Sequence, residues 1–384
     1  MTGANPSGVL GRRILLIAPR VPPYGGMSLQ AELLHDLMRQ DGVSITFLAA
    51  NHPFPERMQF LENLRGLRPL LRSALFSWRL WRMSRQVEVV HVQACSGLYF
   101  FLVVCPAVCI SRLRGKRVIL NYHGGLADRF LRRYGYGARP FFRMADVVTA
   151  PSKFLVEVIT RRMAVPVQLV FNIVVYSRFR YRQRRPLAPK MLVTRHLEKL
   201  YDIESILRAF REVQTRYPEA SLRIAGTGSQ ESYLRKLVTS WNLRNVLFLG
   251  YVSHRDLPAI YDQCDILLNA SRADNFPGSL VEAAAAGLVV ISTGVGGIPD
   301  IFENGTSALL VAPGDWEGLA SAALRALESP ALASALTQKA LDQCRQYDWK
   351  NVRRLLYPVY GFDPSQGETV SPSVGIATVE SGGQ

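Results

Sequence analysis

Between Ser271 and Gly287 the chain reads SRADNFPGSLVEAAAAG. Two carboxylates, Asp274 and Glu282, flank Asn275-Phe276-Pro277-Gly278-Ser279, where a polar loop runs into an alanine-rich helix. Ser279 and Glu282 match the S-x-x-E of a capping box, in which serine and glutamate side chains satisfy free amides at a helix start. That reading leaves Asp274, the Phe-Pro-Gly bend and the alanines without a reason. A second reading uses all of them. Small residues bring the helix close against a sheet, and the loop delivers two carboxylates and the amides of Gly278, Ser279 and Leu280 into one cleft. Carboxylates accept hydrogen bonds from vicinal hydroxyls, and free amides at a helix start donate to phosphate or sugar oxygens. A nucleotide-sugar presents both.

Other loops carry groups of the same kind. Arg195 and Lys199 lie in RHLEKLYD, after the apolar run KMLVT. A forked guanidinium and a point-charge ammonium suit a diphosphate, although Glu198 and Asp202 would also serve them as surface partners. AGTGSQ places Gly226 and Gly228 after another apolar run, with Glu231 where a dinucleotide fingerprint needs its third glycine. Taken alone it is a tight strand-to-helix turn. PPYGGMS offers Gly25 and Gly26 as unhindered backbone at a helix start.

Each of these loops follows a short apolar run and precedes a helical pattern. RRILLIAP, VSITFLA, VEVVHV, KRVILNY and DVVTAP occupy the first half; KMLVTR, ASLRIAG, NVLFLG, DILLNAS and LVVIST occupy the second. Strands alternating with helices imply parallel sheets covered on both faces, with ligands beyond the C-terminal strand ends. The expectation is an α/β protein with two facing, Rossmann-like, doubly wound domains over 1–175 and 191–345. A polar, basic linker twice interrupted by proline joins them over 176–190. A helix over 346–362 is expected to pack back on the first domain, and 363–384, low in aromatics and rich in Gly and Ser, to be a disordered tail.

The chain's 384 residues exceed one ordinary core. Its five cysteines are scattered without a C-x-x-C pair, which suggests neither a disulfide framework nor a zinc site and fits a reducing cytoplasm. The first residues, MTGANPSG, lack the apolar core of a signal peptide. LYFFLVVCPAVCI, from Leu98 to Ile110, is shorter than the roughly 20 residues a bilayer span needs and reads as a buried helix. Residues 1–190 carry 29 Lys and Arg against 9 Asp and Glu, a net charge of +20, whereas 191–384 carry 17 against 21, a net of −4. Only the first half therefore faces an anionic partner, nucleic acid or a membrane surface.

The stretch SRADNFPGSLVEAAAAGLVVISTGVGGIPDIFENG resembles the signature block of the family 4 glycosyltransferases, retaining GT-B enzymes that use nucleotide-diphosphate sugars. The resemblance continues through HVQ, YHGG, ADVVTAPSKF, FNIV, AGTGSQ and VLFLGYVSHRDLPAIYDQCDILLNAS, and covers about residues 12 to 360. It implies that Glu282 holds the donor ribose and that Asp274, where the family usually has glutamate, lies near the hexose hydroxyls. Arg195 matches the diphosphate arginine. The family's partner lysine falls on Leu200, with Lys199 one position early. His123 matches the histidine at the sugar face, and Gly25-Gly26 the N-terminal glycine loop. Catalytic candidates are thus His123, Asp274 and Glu282. Donor-binding candidates are Gly25, Gly26, Arg195, Lys199, Gly226, Glu282 and the run Phe276, Pro277, Gly278, Ser279 and Leu280. The resemblance implies hexose transfer from a UDP- or GDP-sugar to a glycan or lipid-linked acceptor.

No two aspartates stand two apart, so the D-x-D metal site of the other major glycosyltransferase fold is missing. The expectation is no metal and no cofactor, with leaving diphosphate stabilised by Arg195, Lys199 and helix N-termini. Three other readings stand beside this one. One is a hydrolase or phosphorylase using Asp274 and Glu282 as acid and base. Another is a nucleic-acid binder, which lacks any RNP, zinc-finger or KH pattern; the third is an inactive sugar-binding relative. Finally, LRGLRPLLRSALFSWRLWRMSR puts Leu67, Leu70, Leu71, Ala74, Leu75, Trp78 and Trp81 on one helical stripe flanked by Arg65, Arg68, Arg72, Arg79 and Arg82. This is the composition of an interfacial helix or of a core-facing helix with a basic edge. With the +20 half it places the protein in the cytoplasm, peripheral on the inner face of the membrane, with Arg68, Arg72, Trp78, Arg79 and Arg82 facing the lipid.

Overall fold

The computed structural model describes residues 10–22, 25–64 and 66–362. Arg65, two residues of the PPYGG loop and the expected tail 363–384 lie outside the described residues. The first half alternates β1 (Leu10–Ala18), α1 (Gly26–Gln40), β2 (Val43–Ala49), α2 (Arg68–Met83), β3 (Val89–Ala94), α3 (Cys105–Leu113), β4 (Arg117–Tyr122), α4 (Ala127–Met144), β5 (Val147–Ala150), α5 (Lys153–Met163) and β6 (Gln168–Leu169). The second alternates β7 (Lys190–Thr194), α6 (Ile203–Arg216), β8 (Ser221–Ala225), α7 (Glu231–Ser240), β9 (Val246–Gly250), α8 (Leu257–Asp262), β10 (Ile266–Asn269), α9 (Gly278–Ala286), β11 (Val289–Thr293), α10 (Ile298–Ile301), β12 (Leu309–Val311), α11 (Trp316–Glu328), α12 (Pro330–Cys344) and α13 (Trp349–Tyr360).

Each half builds one six-stranded sheet, ordered β2-β1-β3-β4-β5-β6 and β12-β11-β10-β7-β8-β9, with every pairing parallel. β3, β10 and β11 are buried along their whole length, as strands covered by helices on both faces must be. In both sheets the strand order reverses once, between β1 and β3 and between β7 and β10. Such reversals open a crevice beyond the strand ends.

One face of the first sheet packs Leu15, Ile17, Val92 and Leu120 against Phe76, Leu80, Phe130 and Phe142 of the helices outside it. The other face packs Ile14, Leu16 and Ile119 against α1 and against α13, which returns from the chain's end with Trp349, Leu356, Tyr357 and Tyr360. Asp41 pins that return, accepting from Trp349 Nε1 at 3.1 Å and Tyr357 OH at 2.5 Å.

The basic stretch over 176–190 is anchored. Arg184 is 6% exposed, and its guanidinium donates to Asp265 Oδ1 (3.0 Å) and to the carbonyls of Tyr261 (3.0 Å), Cys264 (2.7 Å) and Ala286 (2.7 Å). It closes the open carbonyl ends of α8 and α9, which leave such groups unsatisfied.

The apolar run from Leu98 corrects one expectation. Phe100, Val103, Val104 and Ala107 are buried, but Leu98 and Phe101 are exposed. Over Phe100–Val104 the chain winds as a π-helix before α3 begins. Pro106 has no N–H to give the Leu102 carbonyl, and Ser73 of α2 donates there instead, at 2.5 Å.

Candidate active site

Arg195 leaves the end of β7 and Asp274 the loop after β10, so the strand reversal of the second sheet brings them together. Their nearest nitrogen and oxygen are 2.9 Å apart, both side chains being mostly buried. Arg195 Nη2 nevertheless makes no well-aligned hydrogen bond, so the contact is chiefly Coulombic. The guanidinium is held by Nε donating to Asn269 Oδ1 at 3.0 Å and lies 5.4 Å from the Tyr201 ring centre.

Two glycines let neighbouring loops close on this pair. A Cβ on Gly226 (φ +151°) would stand 1.9 Å from the Arg195 carbonyl oxygen, and one on Gly296 (φ +57°) 1.8 Å from that of Asp274. No L side chain fits such a backbone at that distance. Gly226, expected at the donor, turns its bare Cα onto Arg195.

Glu282 sits in the first turns of α9 and is nearly buried. Tyr261 of α8 donates its hydroxyl to Glu282 Oε2 at 2.9 Å, and the same hydroxyl lies 3.1 Å from the Ser279 carbonyl and 3.3 Å from Thr194 Oγ1. Burial, and next the Glu282 carboxylate, push the Tyr261 phenol well above its usual range, so it stays protonated and donating. Glu282 Oε1 accepts no hydrogen bond among the described residues; His254 Nδ1 is 3.9 Å away. One oxygen is fixed and the other is open.

The capping box is not formed. α9 starts at Gly278 with Pro277 at its N-cap and no side-chain cap, which puts Ser279 inside the helix with a buried, unpartnered hydroxyl. The proline rather than the serine ends the extended segment, because its ring favours a helix start and bars the preceding residue from helical angles. Of the three amides expected to be free, Leu280 donates to the Pro277 carbonyl at 3.0 Å. Those of Gly278 and Ser279 have no partner among the described residues. The Phe276 ring packs edge-on against Tyr347, 5.0 Å between ring centres.

Across the cleft, His123 follows β4. Its Nε2 is buried without a partner, and burial lowers its pKa to about 4. His91 of β3 is fully buried, with Nδ1 2.5 Å from the Tyr360 hydroxyl and a pKa lowered to about 3 by burial and then by His123. Gln93, Asn121 and Thr149 stand in register on β3, β4 and β5, each with an unpartnered buried oxygen. Gly25 caps α1, and neither it nor Gly26 meets any atom closer than 3.9 Å where a Cβ would stand, leaving open backbone there.

The halves touch at this level. Asn275 Nδ2 donates to the Gly124 carbonyl, and the Phe154 amide donates to Asp300 Oδ2 at 2.8 Å. Nothing in the spacing of Asn275, Tyr261, His254, Asn269 or His91 marked them beforehand.

Lys199 makes no ion pair among the described residues. It is exposed and lines a cavity of about 680 Å³ with Glu198, Asp202, Glu204, Tyr233 and Arg272. On α2, Phe76 and Leu80 face the core, Leu71 and Leu75 are half-buried, and Leu67, Leu70, Ala74, Trp78 and Trp81 are exposed. Arg82 lies over the Trp78 ring, but Arg72 is tied to Glu62 at 2.5 Å. No helix among the described residues is long and apolar enough to cross a membrane.

Comparison with known proteins follows the same two halves. Residues 24–178 match the family model described as Glycosyltransferase Family 4, and residues 179–343 match the one described as Glycosyl transferases group 1. The N-acetyl-alpha-D-glucosaminyl L-malate synthase of Bacillus anthracis is 27% identical over 348 residues, covering 84% of this chain and 89% of that protein. A glycogen synthase of Mycobacterium tuberculosis is 25% identical over 297 residues, covering 73% and 69%. Among solved structures, Anabaena HepE in complex with UDP aligns over 91% of this chain and 99% of that one with a TM-score of 0.70 at 17% identity. The sucrose-phosphate synthase of Thermosynechococcus elongatus aligns over 91% and 98% with a TM-score of 0.72 at 18% identity. The two parallel sheets have the GT-B arrangement, and the chain is a glycosyltransferase belonging to family 4.

Proposed function

We propose that this glycosyltransferase moves a hexose-type sugar from a UDP- or GDP-sugar to a glycan or lipid-linked acceptor, with retention at the anomeric carbon and without a metal. The carrying observation is Glu282: a carboxylate with one oxygen locked by Tyr261 and one open suits the vicinal hydroxyls of a ribose. The UDP bound in the HepE structure supports a nucleotide-sugar as the donor.

In this reading the diphosphate displaces Asp274 from Arg195 and takes up the guanidinium, with the amides of Gly278 and Ser279 and the N-terminus of α9 donating to it. Asp274, released, accepts from the hexose hydroxyls. The anomeric carbon gains oxocarbenium character as the diphosphate leaves, and the Asp274 carboxylate and neutral His123 at the sugar face favour it. Arg195 takes the leaving-group charge directly, and Lys199, four residues on, adds a second positive charge. Gly25 and Gly26 let the first half approach the sugar.

α2 supports work at a membrane. Its outward stripe of leucine and tryptophan beside Arg79 and Arg82 would rest on an anionic leaflet, and a glycolipid or cell-surface polysaccharide pathway would use an enzyme held there.

Incubating the chain with radiolabelled UDP- and GDP-sugars and a membrane extract in EDTA tests the reading. Transfer with the donor's anomeric configuration kept, read from NMR coupling constants, is expected. An inverted product, or complete loss of transfer in EDTA, overturns it.

A further inference from the structure

β10 is apolar and buried except in its last residue. Ile266, Leu267 and Leu268 are followed by Asn269, a carboxamide that is itself only 1% exposed. Burying such a group costs free energy unless it is hydrogen-bonded, and Asn269 is bonded on three sides. Its Oδ1 accepts from Arg195 Nε at 3.0 Å and from Ser271 Oγ at 2.8 Å. Its Nδ2 donates to Ser292 Oγ at 2.9 Å. Ser292 is the register partner of Asn269 on β11, while Arg195 follows β7 on the other side of β10. The row therefore crosses three neighbouring strand ends at the reversal of the second sheet.

Two neighbours fix which way the carboxamide lies. Ser292 gives its single hydroxyl proton to the Thr293 carbonyl at 3.0 Å, so toward Asn269 it can only accept. A guanidinium has no acceptor atom, so the atom facing Arg195 Nε must be the oxygen. Turning the carboxamide over would set N–H against N–H at Arg195 and oxygen against oxygen at Ser292. Thr293 closes the row on the segment ahead of Asp274, its Oγ1 donating to the Ser271 carbonyl at 2.6 Å.

The tether is also neutral. Asp274 Oδ2 already stands 2.9 Å from Arg195 Nη2, and a carboxylate at Nε would add a second negative charge competing with any incoming anion. A carboxamide holds Nε and leaves the positive charge of the guanidinium available.

We propose that Asn269 is a positioning residue for the diphosphate: it aims Arg195 through Nε without cancelling its charge, and so sets how much the second phosphate adds to nucleotide binding. The inference rests on the donor site proposed above. It adds to that site a residue that acts through Arg195 and not on the ligand.

Isothermal titration of UDP against UMP, and of GDP against GMP, reads that contribution as the ratio of the two affinities. The parent is expected to prefer the diphosphate at least tenfold in one of the pairs. Asn269→Leu removes the tether with a side chain of the same branching, and should cut the ratio about tenfold, as for one hydrogen bond to a charged group. Asn269→Asp keeps the acceptor and the shape but brings the charge, and should cut the ratio at least as far. Monophosphate affinity should stay at the parent's value in both variants, whereas a purely structural role would lower both affinities together. If the leucine variant does not fold, Asn269→Asp decides alone. The parent's ratio in a folded variant overturns the proposal, and so does an equal fall in both affinities. A parent that binds neither diphosphate, or binds it no better than the monophosphate, overturns the donor reading itself and this inference with it.

Discussion

Arg195 and Asp274, 79 positions apart in the chain, stand 2.9 Å from each other at the reversal between β7 and β10. Under the proposed function, the arginine that would take the diphosphate is thereby neutralised until a ligand arrives. Asp274→Asn removes the competing charge with little change of volume. Isothermal titration should show UDP or GDP bound several-fold more tightly than by the parent, in line with about 1 kcal/mol for a partly screened pair, while sugar transfer falls. Weaker nucleotide binding by the variant would mean that Asp274 does not compete for Arg195.

Tyr261→Phe leaves the nearly buried Glu282 without its donor. The expected loss of stability is about 1–3 kcal/mol, and the KM for the donor should rise about tenfold with kcat less affected. An unchanged KM would remove Tyr261 from the positioning of Glu282.

Glu282→Gln should abolish transfer while far-UV circular dichroism stays native. Ser279→Ala separates donor contact from helix capping: a working cap would cost about 1 kcal/mol on removal, whereas a buried unpartnered hydroxyl should be close to neutral. A drop of 1 kcal/mol or more in the serine variant would restore the capping box.

The histidines predict an acid-side instability. His91 and His123 have folded pKa values lowered to about 3 and about 4, while the unfolded chain takes up their protons near pH 6.5. Between those limits the unfolded state binds more protons, so stability falls as the pH drops below 6.5 and is indifferent to these groups above it. Denaturant titrations from pH 7.5 to 4.5 should show this slope, flattened in His91→Gln. An equal slope in that variant would assign it to the carboxylates.

The proposed membrane contact of α2 is tested by flotation with anionic liposomes at low salt. Binding should be lost at high salt and weakened by Trp78→Ser or Arg82→Gln. Arg72→Gln should matter less, since Arg72 is already held by Glu62. Protein left with no vesicles at low salt would remove α2 from any membrane role.

Strand and helix alternation, the two parallel sheets and the family were open to reading because buried strands and their glycine loops are local patterns, carried by runs such as DILLNAS followed by RADNFPG. The amphipathic stripe of α2 was also local, but which way it faced was not: only the packing of Phe76 and Leu80 against the first sheet turned leucine and tryptophan outward. Glu282 was visible as a residue and ambiguous as a group, because S-x-x-E spells a cap whether or not the serine sits at the cap position. The proline one residue ahead of Gly278 decided that. What the chain alone determined is which residue types sit at strand ends. Tertiary structure decided their partners: Tyr261 from α8 beneath Glu282, Asp274 across from Arg195, Tyr360 behind His91. Each such pair joins segments 21 to 269 positions apart, and no periodicity spans that distance; only the strand order and the return of α13 bring them within a hydrogen bond's reach.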